Sequence, residues 1–436
     1  MPDFSIKTLG PCRIDSPLLP LLETRKASDH HVEEGDRVLF DDTVSALTAR
    51  NLPPSELPSF EPAGPRRKIY FDPSKTRAGI VTCGGLCPGL NNVIRGLVLE
   101  LHRYRVRKVL GFRNGFAGFV ARFGHEVMEL TPQVVENIHE LGGTILASSR
   151  GKQDAAEIVD CLEQTGVNVL FVIGGDGTIR GAMDVVREIE ARGLKIAVVG
   201  VPKTIDNDIM HADLSFGFQT AFSEAVAAIR SAHVEATGCP NGIGLVKLMG
   251  RHSGFIAAYS SLAMNDANFV LIPEVPFRLD GEGGFLNVLR QRMLRRGHAV
   301  IVVAEGAGQE LIESHTQETD ASGNARLKDI GVFLRDRINE YFKGIGTMIN
   351  LKYIDPSYVI RSVPANPIDS VYCCRLAHNA VHAAMAGRTE LVVSRRRFRF
   401  VHVPMKAAIS DRYTVDRNGD LWLTVLESTG QPWEFR

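Results

Sequence analysis

Three short apolar runs, each breaking into glycine and acidic residues, constrain this chain more than any other feature. Ala78-Gly79-Ile80-Val81-Thr82 leads into Cys83-Gly84-Gly85, and the run 167–173 leads into Gly174-Gly175-Asp176-Gly177-Thr178. The run 196–200 leads into Pro202-Lys203-Thr204-Ile205-Asp206-Asn207-Asp208. Runs this short, apolar throughout rather than alternating, read as strands covered on both faces; such strands lie parallel and need helical crossovers. The spacing supplies them: 91–103 reads as a helix after a glycine-rich turn, and another helix follows Thr178. The expected fold is α/β, with mainly parallel sheets covered by helices.

A second set of elements repeats the pattern, with strands over 242–248, 269–272 and 299–305 and a helix over 254–264. At 436 residues the chain exceeds one ordinary core, so two lobes are expected. The boundaries read as a Pro-rich N-terminal extension over 1–75, a first lobe over 76–218 plus 360–410, a second lobe over 219–359, and a strand-rich tail over 411–436. A helix over 370–385 lies in the returning segment, and the polar stretch 313–325 reads as a surface loop. No short-period repeat and no Walker A pattern occurs.

Charge excludes some partners. Lys+Arg 50 against Asp+Glu 50 gives no general attraction to nucleic acid or an anionic membrane. Arg395-Arg396-Arg397 and Arg399, interleaved with Phe398 and Phe400, read as an edge strand with one charged face rather than a nucleic-acid patch. Seven cysteines suggest no disulfide framework, and neither Cys83 with Cys87 nor Cys373 with Cys374 has zinc-site spacing. The start, Met1-Pro2-Asp3, lacks a secretory pattern, and no apolar run is long enough to span a membrane. A reduced, cytoplasmic protein is expected.

Three glycine pairs, Gly84-Gly85, Gly142-Gly143 and Gly174-Gly175, bear on chemistry. The first and third stand at strand ends, where open α/β sheets bind ligands. Glycine lets backbone amides approach phosphate oxygens, and a following helix N-terminus adds a favourable field. For any one pair alone, a packing turn is the better account. Asp176 amid such glycines suits hydrated Mg²⁺. Asp206 and Asp208, two residues apart in a loop, can divide labour, one removing a proton from an alcohol and the other orienting it or a metal. An Asx-turn explains the same residues with no chemistry at all.

In their order, Gly84-Gly85-Leu86-Cys87-Pro88-Gly89-Leu90-Asn91-Asn92, the stretch 174–178, the stretch 202–208 and Met249-Gly250-Arg251-His252-Ser253-Gly254 resemble the phosphofructokinase family, over roughly 77–409. The resemblance implies two Rossmann-like lobes, one for the phosphoryl donor and one for the sugar phosphate, with chemistry in a cleft. It implies Asp206 as the base on the sugar 1-hydroxyl of fructose 6-phosphate, with Asp208 assisting. Thr204, Arg251 and Lys203 complete the catalytic set, and Asp176 carries Mg²⁺. Gly84, Gly85, Arg150, Gly175, Gly177, Thr178 and Gly181 would line the donor. Met249, Gly250, Glu305, Lys352, Tyr358 and Arg361 would join Thr204, Asp206 and Arg251 around the sugar phosphate. Tyr358 and Lys352 stand where bacterial ATP enzymes often have His and Arg. The resemblance also implies a homo-oligomer, with a tetramer favoured. It puts Arg95 near an effector position, although a neighbouring subunit's usual arginine is not evident near Gly242. His252 is left outside the catalytic set.

The donor is read from two residues. In this family the residue after the GGD aspartate is generally glycine with ATP and aspartate with pyrophosphate, and here it is Gly177. Lys203 pulls toward pyrophosphate, yet plant and trypanosomatid-like ATP enzymes combine this glycine with this lysine. ATP is therefore expected, with pyrophosphate as runner-up. A non-catalytic sugar-phosphate sensor is the alternative from another class, and the retained Asp206, Asp208, Asp176 and Arg251 argue against it.

Overall fold

A computed structural model describes residues 3–20, 30–312 and 327–436. By its internal contacts the chain forms two compact units. One comprises Met1–Thr204, Ile209–Gly217 and Val363–Arg412; the other comprises Ile205–Asp208, Phe218–Ser362 and Tyr413–Arg436.

The first unit is built on a sheet that has nine strands among the described residues. Its centre is five parallel strands in the order Leu391–Arg396, Ala197–Pro202, Val169–Gly174, Arg77–Thr82 and Lys108–Phe112. Val169–Gly174 and Ala197–Pro202 are buried at every position, as uninterrupted apolar strands under two helical layers must be. Antiparallel strands close the two ends: Val127–Glu129 on one, and Arg399–Pro404, Ser59–Pro62 and Val38–Leu39 on the other. Helices Leu90–Arg103, Ala155–Thr165, Asp176–Ala191 and Pro367–Met385 accompany the sheet.

Residues 38–39 and 59–62 extend this sheet, so the stretch read as an extension is part of the first unit. Phe4, Phe40 and Phe60 cluster around the His211 ring, with centroids 5.1, 5.6 and 5.9 Å away. Below them Glu61 accepts hydrogen bonds from Arg66 at 2.7 Å and Arg388 at 3.0 Å, and lies 3.0 Å from His402 Nδ1. Arg66 and Arg388 are buried and also pair with Glu34. Composition alone could not show this, because Arg388 lies more than three hundred residues from Glu34 and Glu61.

The second unit holds four parallel strands among the described residues, in the order Phe269–Leu271, His298–Ala304, Gly242–Leu248 and Asn350–Ile354. Its core joins Ile243, Leu245, Phe269, Phe285, Val303, Leu334 and Phe435. Helix Phe218–Thr237, for which the sequence reading made no provision, packs on this sheet through Ala225, Ile229 and Ala232.

Two expectations are corrected. The tail is not strand-rich: it contains helix Asp420–Thr429, preceded by Gly419 and closed by left-handed Gly430. Trp422 and Val425, three positions apart, are buried, which is helical rather than alternating spacing. The arginine run is not an edge strand either. Arg397 and Phe398 take positive φ of 46° and 67° and form the turn between Leu391–Arg396 and Arg399–Pro404, both interior to the sheet. Asp213 bonds Arg396, and Asp42 lies 3.0 Å from Arg397, so the turn's charge is neutralised locally. The stretch 313–325 falls among residues outside the described ones. None of the seven cysteines is in a disulfide.

Candidate active site

In the first unit three strand ends converge. Strand Arg77–Thr82 runs into a loop zipped to residues 147–149. Thr82 Oγ1 donates to Ala147 O at 2.7 Å, Gly84 N to Ser149 O at 3.0 Å, and Ser148 Oγ to Gly84 O at 2.6 Å. Gly84 has φ +86°, a region that favours glycine, and a Cβ there would lie 3.6 Å from Lys203 Nζ. A Cβ on Gly85 would lie 3.4 Å from Arg150 Nη2. A buried lysine and an exposed arginine thus flank bare backbone, which suits a polyphosphate.

The second strand end begins helix Asp176–Ala191, with Gly175 as its N-cap. Thr178 N and Ile179 N close the first turn onto Gly175 O at 2.9 and 3.0 Å, and the helix field favours an anion at this end. Gly175 sits against Lys203 O, which brings the second and third strand ends together. Gly174 is required by packing, since a Cβ would come to 2.3 Å of Thr178 Oγ1. Thr178 is accordingly buried. Gly181 has a similar explanation: a Cβ would meet the Phe116 ring at 2.8 Å. Gly177 differs, being exposed, and a Cβ there would meet nothing within 4 Å. Burial pushes the nearby Cys83 thiol up to about 12, so it stays protonated and is no nucleophile.

Asp176 fits a magnesium site by the chemistry of its donors. Among the described residues no group of three or more His, Cys, Asp or Glu could hold a metal ion. Mg²⁺ keeps several waters and is usually held by one or two carboxylates plus substrate phosphates, so a single carboxylate at a phosphate-ready helix start is the appropriate donor.

In the second unit Asp206 is fixed by loop 249–254. Its Oδ2 accepts from Arg251 N at 3.3 Å and its carbonyl accepts from Ser253 Oγ at 2.8 Å. Asp206 is half-buried, whereas Asn207 and Asp208 are buried, with Asn207 at φ 58°. Asp208 O accepts from Tyr413 N at 3.0 Å. Thr204 is the last residue of its run in the first unit, where its carbonyl accepts from Ser215 Oγ at 2.6 Å.

Loop 249–254 is held in turn by the end of strand His298–Ala304. Glu305 N donates to Leu248 O at 2.9 Å, and Gly306 N to Gly250 O at 3.0 Å. Gly250 has φ +128° and Gly306 lies so close to Arg251 O that a Cβ would stand 1.9 Å from it. Both glycines are therefore obligatory. Burial raises the Glu305 carboxyl, while the positive charges of Arg251, Lys247 and Arg361 oppose that rise. Arg361 lies 4.5 Å over the ring of exposed Tyr358. Lys352 is exposed on the edge strand, in register with Gly244, and Met249 is buried.

Three features escaped the sequence reading. Glu274, just past a strand end, accepts from Gly254 N at 2.9 Å and Val415 N at 2.8 Å, holding the start of helix Phe255–Met264. Its only sequence signal is an acid after Ile272-Pro273. Lys247 bridges Asp355 at 2.8 Å and Asp329 at 3.1 Å, anchoring the segment that leads to Tyr358. Arg412 pairs with Asp176 at 2.8 Å and belongs to no motif.

Residues 77–384 match the family model described as phosphofructokinase. The chain belongs to the phosphofructokinase family. Among its relatives is an ATP-dependent 6-phosphofructokinase of Amycolatopsis methanolica, 58% identical over 99% of this chain and 96% of that one. Another of that name, from Trypanosoma cruzi, is 47% identical over 90% of this chain and 81% of that one. ATP-dependent 6-phosphofructokinase 7 of Arabidopsis thaliana is 50% identical over 86% of this chain and 77% of that one. The fold matches that of a Marinobacter aquaeolei pyrophosphate-dependent phosphofructokinase, with a TM-score of 0.67, 19% identity and coverage of 81% of this chain and 91% of that one. The phosphofructokinase family thus accounts for the α/β architecture, and the chain is a kinase of that family.

Proposed function

We propose that this phosphofructokinase transfers the γ-phosphoryl group of ATP to the 1-hydroxyl of fructose 6-phosphate, with Mg²⁺, as a cytoplasmic glycolytic enzyme. The observation that carries the reading is Asp206. It is half-buried, its carboxylate accepts from Arg251 N and its backbone carbonyl from Ser253 Oγ, and its neighbour Asp208 is buried. A base so placed takes the hydroxyl proton as the sugar oxygen bonds to the γ-phosphorus. The bond from that phosphorus to the β,γ-bridging oxygen breaks, and ADP leaves. Arg251 and Lys203 balance charge on the transferring group, and Arg150 with the bare backbone of Gly84 and Gly85 orients the polyphosphate. Mg²⁺, when bound, would neutralise the donor's charge, and Asp176 would hold it. Glu305 takes sugar hydroxyls, while Arg361, Tyr358 and Lys352 take the 6-phosphate.

ATP is favoured over pyrophosphate by exposed, unobstructed Gly177 and by relatives at 47–58% identity whose names specify ATP. Initial rates with each donor, measured side by side, test the choice, and turnover with pyrophosphate alone would overturn it. Asp206→Asn tests the base: kcat should fall by roughly a hundredfold to ten-thousandfold with sugar-phosphate affinity nearly kept. Unchanged kcat would refute the role. The family resemblance also favours a homotetramer, which sedimentation would check.

A further inference from the structure

Arg412 lies outside every motif, yet it holds the carboxylate assigned to the metal. Its Nη2 stands 2.8 Å from Asp176 Oδ2, with the two side chains 32% and 18% exposed. The contact is not isolated. Arg180, one turn along the same helix, donates to Ile409 O at 3.5 Å, so this helix grips the 409–412 segment at two points. Ala408 and Ile409 are buried, which anchors that segment. Arg412 also forms an antiparallel bridge through its backbone with Ile209, the residue directly after Asp208. One residue therefore joins the donor-site carboxylate to the chain leaving the loop of Asp206 and Asp208.

A carboxylate partly withdrawn from water at a helix start is best accompanied by a cation. Mg²⁺ and a guanidinium repel each other, so both cannot claim the same carboxylate oxygen. We propose that Arg412 is a positioning residue that acts as a built-in stand-in for the metal: it occupies Asp176 until metal–nucleotide binds, then yields, and the bridge to Ile209 carries that exchange to the catalytic loop. The inference rests on the reading of Asp176 as the Mg²⁺ carboxylate. It makes metal–nucleotide binding weaker than the site could achieve, and uses the difference to tie loop position to donor occupancy.

The test is calorimetric titration of the full chain with AMP-PNP, with and without Mg²⁺, in the wild type, Asp176→Asn, Arg412→Gln and Arg412→Lys. Removing the competing guanidinium should tighten Mg²⁺–AMP-PNP binding about fivefold, the size of one partly exposed ion pair. Without Mg²⁺ the same variant should bind no tighter than wild type, and Arg412→Lys should stay within about twofold of it. In turnover assays Arg412→Gln should lower both kcat and KM for the nucleotide, a split that loss of structure alone would not produce. Equal or weaker metal-dependent binding by Arg412→Gln, with Asp176→Asn still clearly impaired, would overturn the proposal and leave the functional reading standing. Wild-type affinity in Asp176→Asn would instead remove the metal assignment, and this proposal with it.

Discussion

Substituting Gly177 by Asp separates the donor's electrostatics from the protein's stability. Gly177 lies in the first turn of helix Asp176–Ala191, its φ is outside the left-handed region, and a Cβ would meet nothing within 4 Å. An aspartate is therefore accommodated without strain. A carboxylate in a helix's first turn is favourable by about 0.3–1 kcal/mol, so the fold should be as stable as before or slightly more so. For the nucleotide the sign reverses. Two unit charges ~4 Å apart at an effective dielectric near 20 repel by about 4 kcal/mol, roughly a thousandfold in affinity. Because residue 177 is exposed, solvent screening should reduce this toward ~2 kcal/mol, or about thirtyfold. The assay pairs KM for MgATP with a thermal melt on the same preparation, with Gly177→Ala as the uncharged control. The expected result is KM raised about thirtyfold to a thousandfold for Gly177→Asp, little change for Gly177→Ala, and an undiminished melting temperature. A folded Gly177→Asp enzyme with KM within threefold of wild type would refute the argument that this position faces the nucleotide's phosphates.

Other outcomes follow from the same structure. Burial alone would raise the Glu61 carboxyl, but its hydrogen bond with His402 and the charges of Arg388 and Arg66 outweigh this and hold it at about 2. That group's contribution, roughly 2–3 kcal/mol, is complete above the unfolded value near 4.5 and is lost as pH falls toward 2. Urea unfolding of Glu61→Gln should show a deficit at pH 7 that shrinks on acidification; a deficit constant with pH would refute the linkage. Phe60→Ala, at a fully buried ring in strand Ser59–Pro62, should cost about 3–5 kcal/mol if residues 38–62 are integral to the sheet. A change below about 1 kcal/mol would show that this stretch is peripheral. The Glu305 carboxyl is raised by burial, so kcat/KM for fructose 6-phosphate should fall as pH drops through that raised value. Glu305→Gln should remove this acid limb, and an unchanged profile would clear Glu305 of the role.

The strand ends were legible because the signal is local. The apolar run 242–248 is a strand over those same residues, and the runs before Gly84, Gly174 and Lys203 are parallel neighbours, as their uninterrupted apolar character requires. In the arginine run charge alternation resembles an edge strand, while the feature that decides its conformation is positive φ at Arg397 and Phe398. No glycine or Asn-Gly pair announces that turn. The tail's helix leaves little signal in the sequence because it is short and carries few buried positions, Trp422 and Val425. Packing against Phe116, which requires a glycine at 181, has no signal in the sequence.

By itself the sequence determined the apolar parallel strands, the glycine turns at their ends, and the residue types able to bind phosphate and move a proton. These depend on side-chain period and on backbone freedom at single positions, which neighbours in the chain disclose. Tertiary structure decided what holds those residues: Arg251 N on Asp206, Gly306 under Arg251, Glu274 at the start of helix Phe255–Met264, and Arg412 on Asp176. Each of these contacts joins residues between 20 and 236 positions apart or packs one loop against another. A hydrogen bond or ion pair is short-ranged, so only the folded path of the chain can bring its two ends within reach.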